Sequence, residues 1–193
     1  LEASGADDGG TIRVTGERVR IEATAVLDAR GAASGGRIFV GGERRGTGDM
    51  RRAEHVVLHT GSTVQADGAA ALGGEVIVWA DGSTWFDGII TASGREGGGF
   101  IETSAKDALG HGENAFLMAG AGGSWLLDPR NVRIVGSSGA TAIAGSNAPP
   151  SGPGDYQIVG STIVDALNRD ENVTITTAQP TSSDAGDITL DTS

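Results

Sequence analysis

Two tryptophans and two aspartates fall within nine residues: Trp79, Asp81, Trp85 and Asp87. Sugars bind by laying an apolar ring face on an indole while their hydroxyls bond to carboxylates, so this grouping is the candidate glycan-binding surface of the chain. In an extended segment with Val76 and Val78 inward, Glu75, Ile77 and Trp79 face outward; with Ile90 and Ala92 inward, Trp85, Asp87 and Ile89 do the same. The competing arrangement has the indoles covering strand edges or packed beneath a neighbouring loop.

Other residues suggest weaker chemistry. Glycoside hydrolysis needs two convergent carboxylates, one protonated, and Asp81 with Glu102 would serve if they fell on adjacent coils. Their spacing does not separate them from the other acids. A lyase would want a Lys or Arg base with calcium, yet Lys106 is the only lysine and the arginines lie mostly in loop segments. His55 and His59 would share a strand face about 13 Å apart, too far for one metal. A carboxylate partner for His55 and a turn for His59 are the expectation. Asp7 with Asp8, and Asp184 with Asp187, stand in glycine-containing turns of a kind that binds calcium, but without the EF-hand order or the Gly-Gly-x-Gly-x-Asp repeat. The glycine pairs open no helix and carry no Gly-Lys-Ser or Gly-Lys-Thr, which argues against nucleotide binding. No enzyme activity, catalytic residue, metal or cofactor is expected.

The elements that must position these residues repeat along the chain. Leu1-x-Ala3-x-Gly5 leads to Gly9-Gly10-x-Ile12-x-Val14, and Leu27-x-Ala29-x-Gly31 to Gly35-Gly36-x-Ile38-x-Val40. Val64-x-Ala66-x-Gly68 precedes Gly73-Gly74-x-Val76-x-Val78, and Ile90-x-Ala92-x-Gly94 precedes Gly98-Gly99-x-Ile101-x-Thr103. The period of about 25 residues, broken once by an extra dozen at 41–53, is that of a solenoid coil with one insertion. Period-2 segments such as Val19-Arg-Ile21 and Ile38-Phe-Val40 lie between turns too short for a helix. The expected fold is all-β, a right-handed parallel β-helix with inserted corner loops. Ala29, Ala66 and Ala92 would close the corners tightly, and the glycines would supply positive φ angles there. A β-sandwich would not explain one motif per coil.

One β-helix segment is expected over 1–193: regular glycine-marked coils at 1–103, irregular coils and loops at 104–160, and a further coil or capping strands at 161–193. The insertion at 41–53, with Glu43, Arg44, Arg45, Asp49, Arg51 and Arg52, reads as a solvated corner loop. Pro129 makes strands of Trp125 to Leu127 and Val132 to Ile134 joined by a rigid turn. Residues 139–156 read as a flexible corner loop, 161–168 as one or two helical turns, and Val173 to Thr176 and Asp187 to Leu190 as strands.

Composition bounds the partners. Thirty-three of 193 residues are glycine, aromatics make up 4%, and 14 basic against 25 acidic residues leave a net charge of -11, which disfavours nucleic acid and anionic membrane. No cysteine is present, so disulfides and thiolate chemistry are excluded, and no 18-residue apolar run offers a membrane span. No signal peptide or lipidation motif opens the chain, which begins within a repeat and reads as a piece of something longer.

The run Gly73-Gly-Glu-Val-Ile-Val-Trp-Ala-Asp-Gly-Ser-Thr-Trp-Phe-Asp-Gly-Ile-Ile-Thr-Ala-Ser-Gly94, followed by Gly98-Gly-Phe-Ile-Glu-Thr-Ser104, resembles the large exoproteins of the two-partner secretion pathway, the filamentous haemagglutinin-like and high-molecular-weight adhesins. Gly123-Ser-Trp-Leu-Leu-Asp-Pro129 and Asn172-Val-Thr-Ile-Thr-Thr177 resemble further stretches of that family. The resemblance implies a rod-like β-helix exported across the outer membrane of a Gram-negative bacterium by a dedicated outer-membrane transporter, then displayed or released. It implies roles in cell attachment, self-association or biofilm building, often through glycans or polysaccharide. It places this chain just beyond the amino-terminal secretion domain. A carbohydrate-binding module is the alternative reading, and a polysaccharide lyase or hydrolase the less favoured one.

Overall fold

The computed structural model describes residues 1–136, 157–177 and 186–191. Each coil is three short strands, each ending at a turn before a helix could nucleate. The first coil is β1 (Thr11–Val14), β2 (Arg18–Ile21) and β3 (Val26–Asp28), and the second β4 (Arg37–Val40), β5 (His55–Leu58) and β6 (Thr63–Gln65). The third is β7 (Glu75–Ala80), β8 (Ser83–Phe86) and β9 (Ile89–Thr91), and the fourth β10 (Phe100–Ala105), β11 (Ala108–His111) and β12 (Phe116–Met118). Beyond them come β13 (Ser124–Leu127), β14 (Val132–Val135), β15 (Gln157–Val159), helix α1 (Gly160–Asn168), β16 (Asn172–Ile175) and β17 (Ile188–Asp191).

Corresponding strands stack in parallel. The first sheet runs β1-β4-β7-β10-β13-β16, the second β2-β5-β8-β11, the third β3-β6-β9-β12, and β15-β14-β17 form a fourth. The fold is therefore a parallel β-helix, and register places like residues on like residues. Ile12, Ile38, Val76, Ile101, Trp125 and Val173 form one inward ladder of the first sheet. Leu27, Val64, Ile90 and Leu117 form another on the third. No coil can bury its own apolar face; each does so against its neighbours.

The corner alanines Ala29, Ala66, Ala92 and Ala119 are fully buried. The pairs Gly9-Gly10, Gly35-Gly36, Gly73-Gly74 and Gly98-Gly99 do a different job from the one the sequence suggested, because none of them has positive φ; only after Ala119 do Gly120 and Gly122 take it, at +84° and +73°. A Cβ on Gly35 would lie 1.8 Å from the Ala66 carbonyl oxygen, and one on Gly73 1.9 Å from that of Ala92. Glycine is required here because the backbones of adjacent coils touch. The second residues of these pairs are set the same way: a Cβ on Gly74 would meet the Gly36 oxygen at 2.1 Å.

One further expectation is corrected. Residues 104–118 are not irregular: Ser104 pairs with Trp79, Leu109 with Thr84 and Leu117 with Ile90, so they complete the fourth coil in register. Lys106 and Asp107 break the glycine signature there without breaking the backbone ladder, since their N–H groups still bond to the Ala80 and Gly82 carbonyls. The strands flanking Pro129 form as expected, as β13 and β14, and β14 pairs with β15 and β17 in the fourth sheet. Helix α1 matches the expected turns, with Ala166 buried. The loop expected at 139–156 and the carboxylate Asp184 lie outside the described residues.

Candidate functional site

Outward residues of the first sheet also form ladders. Arg13, Phe39, Ile77, Glu102, Leu126 and Thr174 stand in one row, and Phe39, Ile77, Glu102 and Leu126 are all buried. Residues that point away from the core become buried only if something covers them. Part of that cover is the insertion at 41–53. It closes on itself through the Ala53 N–H to the Gly41 oxygen (2.6 Å) and tightens into a 3-10 turn at Arg44–Gly46. The charged side chains Arg44, Arg45, Asp49, Arg51 and Arg52 are exposed as expected, but the loop does not stand away from the body: the segment is a strap laid on the sheet.

Trp79 is the strap's main contact. Trp79 is 3% exposed and clusters with Phe39, Ile77, Met50 and Phe100, apart from the interior core. A Cβ on Gly42 or Gly46 would come within 2.6 Å of the ring, so both positions exclude a side chain, and Gly46 also has φ +63°. The outward direction expected of Trp79 is correct, but its exposure is not, and the ring offers no face to a sugar. Polar contacts tie the strap down: Arg52 Nε to Asp81 Oδ2 (3.0 Å), the Arg44 guanidinium 3.9 Å over the Phe100 ring, and Thr15 Oγ1 to the Arg51 oxygen (2.8 Å).

Beneath the strap lies Glu102, fully buried. The Arg45 N–H donates to its Oε1 at 3.1 Å and to Oε2 at 3.3 Å. Burial pushes its carboxyl up to about 7, against the opposing pull of the Arg45 N–H, the Ser104 hydroxyl and Arg44, while Asp128 adds repulsion. Asp128, in the turn after β13, is also raised by burial, with the Arg45 guanidinium 3.8 Å away opposing it. Asp81 and Glu102 do not form an acid pair: Asp81 is bound to Arg52 outside the strap, while Glu102 is beneath it.

The remaining candidates separate. Trp85 is half-buried on the second sheet, between Val57 and Gly110 in its row. Asp87 caps a corner, accepting the Thr60 hydroxyl and the Asn114 N–H (2.8 Å). The four residues therefore form no single patch. His55 Nδ1 is 2.8 Å from Ser83 Oγ rather than a carboxylate, while His59, at the turn as expected, also lies 3.7 Å from Glu22. Asp8 accepts the Ser34 N–H at 3.2 Å. No group of three or more metal-ligating side chains occurs among the described residues.

A residue that the sequence did not single out sits inside the coils. His111 is fully buried in the row of Ile21, Leu58 and Phe86. It stacks on Trp125 at 5.4 Å and 18° and meets Phe86 edge-on, with Thr103 Oγ1 3.3 Å from its Nε2. Burial lowers its pKa to about 3, so the ring is neutral. Its signal was available in the repeat, since aligning the coils puts it opposite Phe86.

No helix among the described residues is long and apolar enough to cross a membrane. No protein-family model matches the chain. No curated protein matches it. Among solved structures it is similar to the crystal structure of the HMW1 secretion domain from Haemophilus influenzae, with 37% sequence identity and a TM-score of 0.55. The match covers 62% of this chain and 32% of that one, so the chain spans about a third of the length of the solved structure. The sequence reading placed the chain beyond a secretion domain; the likeness found is to a secretion domain itself.

Proposed function

We propose that the chain is a rod-forming segment of an exported surface exoprotein of the two-partner secretion type, carried across the outer membrane by a dedicated transporter and acting outside the cell in attachment or aggregation. The observation that supports this reading is the 37% identity to the HMW1 secretion domain over 62% of the chain. The uninterrupted stacking of coils fits it physically, since a parallel β-helix adds length without changing cross-section and displays corner loops at fixed intervals. Such a segment needs no reaction centre; many weak contacts along a rod give avidity.

The test is to express the parent exoprotein with its transporter in a Gram-negative host, with and without these 193 residues, and to measure both the exported fraction and adherence to host cells. Loss of export on deletion supports a secretion role. Loss of adherence with export intact supports an adhesive one. Export and adherence both unchanged would sink the reading.

A carbohydrate-binding role is the second reading, and it now rests on Trp85 alone. Its side chain is half-buried on the second sheet, and it is the one residue of the four that keeps an aromatic ring partly exposed. Saturable binding in a glycan screen that disappears in Trp85→Ala, with circular dichroism unchanged, would support it.

A further inference from the structure

We propose that the strap at 42–52 is a cover latched by Glu102, closed in acid and loosened as the solution approaches neutrality. The geometry carries this. Glu102 stands between Ile77 and Leu126 in the buried middle of its row, where an aliphatic residue would satisfy packing at no electrostatic cost. Instead a carboxyl stands there, and the strap reaches it through the backbone of Arg45. The same strap hides Trp79, whose Nε1 is buried without a hydrogen-bond partner. That atom gains a water partner when the strap lifts.

The groups facing Glu102 are Arg44 and Arg45 on the strap, Asp128 in the turn after β13, and Ser104 on its own strand. The two arginines favour the ionised form, and Asp128 opposes it. Desolvation outweighs the rest, so the closed strap binds the Glu102 proton more tightly than the open one. Between the ordinary value of 4.5 and about 7, each pH unit therefore favours opening by up to tenfold, about 300-fold in total. Below that window the strap is at its tightest; above it the dependence levels off. Opening would uncover Phe39, Ile77 and Trp79 on the outer face of the first sheet while the interior ladders stay paired.

Hydrogen exchange measured by NMR at pH 4.5 to 8.5, with each rate divided by the chemical rate at that pH, tests this on the intact chain. The Arg45 amide and the Trp79 indole N–H should lose protection by two orders of magnitude or more across the window. The Ile101 amide, in the ladder beside them, should not follow. Glu102→Gln keeps an acceptor of the same shape and should give a flat profile. A flat wild-type profile would overturn the proposal, as would a slope that survives in Glu102→Gln or an Ile101 amide that opens in step.

Discussion

The interior of the coils and the strapped outer face of the first sheet each bury a tryptophan beside a titratable group, but they do so by different means. Inside, Trp125 and His111 are enclosed by the same rows of the neighbouring coils, and the indole N–H has its partner, donating to Thr103 Oγ1 at 3.0 Å. Outside, Trp79 and Glu102 are covered by residues inserted into the second coil, and the Trp79 indole has no partner. Interior burial is a property of the repeat. Exterior burial depends on one interruption of it, so the two regions should fail separately and with opposite pH signs.

The largest effect should come from breaking the coil spacing that both regions share. Gly35→Ala puts a methyl into the Ala66 carbonyl, and we expect a loss of about 5 kcal/mol or more, enough to abolish cooperative unfolding in a urea titration. Trp79→Ala should act on the strap. It removes the ring that Gly42 and Gly46 pack against, at about 3–4 kcal/mol, and should expose Arg44 and Arg45 to trypsin while strand content by circular dichroism is retained.

Titration separates the regions more sharply. His111 is neutral in the fold with its pKa lowered to about 3, while the unfolded ring titrates near 6.5. The unfolded state therefore takes up the proton first. Stability is full above 6.5 and is lost as pH falls, by about 3 kcal/mol between pH 6.5 and 4. Glu102 has the opposite sign, since its raised pKa makes stability greatest below 4.5 and lower as pH rises through about 7. The two slopes oppose each other between pH 4.5 and 6.5, so urea midpoints should hold a plateau there and fall below it, while His111→Phe should abolish the acid fall and uncover the Glu102 slope. The smallest effect belongs to the strap's surface tie. Arg52 and Asp81 are 43% and 35% exposed, so Arg52→Ala should cost only about 0.5 kcal/mol in thermal unfolding and should fade with salt.

Much of the fold was legible because a solenoid writes its period into the chain. The spacing from Gly36 to Gly74 to Gly99 fixes which residues stack, and alternation around Ile12, Ile38 and Val76 fixes which of them point inward. The role of the glycine pairs was misread because a sequence shows that a side chain is absent, but not whether φ or a neighbouring carbonyl requires it. Residues 104–118 looked irregular because the glycine signature lapses there, although backbone pairing needs only alternation and length. The candidate site was legible in part: Trp79 and Glu102 were noted, and the outward direction of Trp79 was correct.

By itself, then, the sequence determined the coil, its register and the direction of each side chain, because these follow from local periodicity and from like residues recurring at like positions. Only the tertiary structure decided which outward residues meet water. Whether Trp79 forms an open platform or a buried anchor, and whether Glu102 is a surface acid or a desolvated latch, depends on where an aperiodic insertion comes to rest. That is a long-range contact between segments up to 57 residues apart in the chain, and no local pattern encodes it.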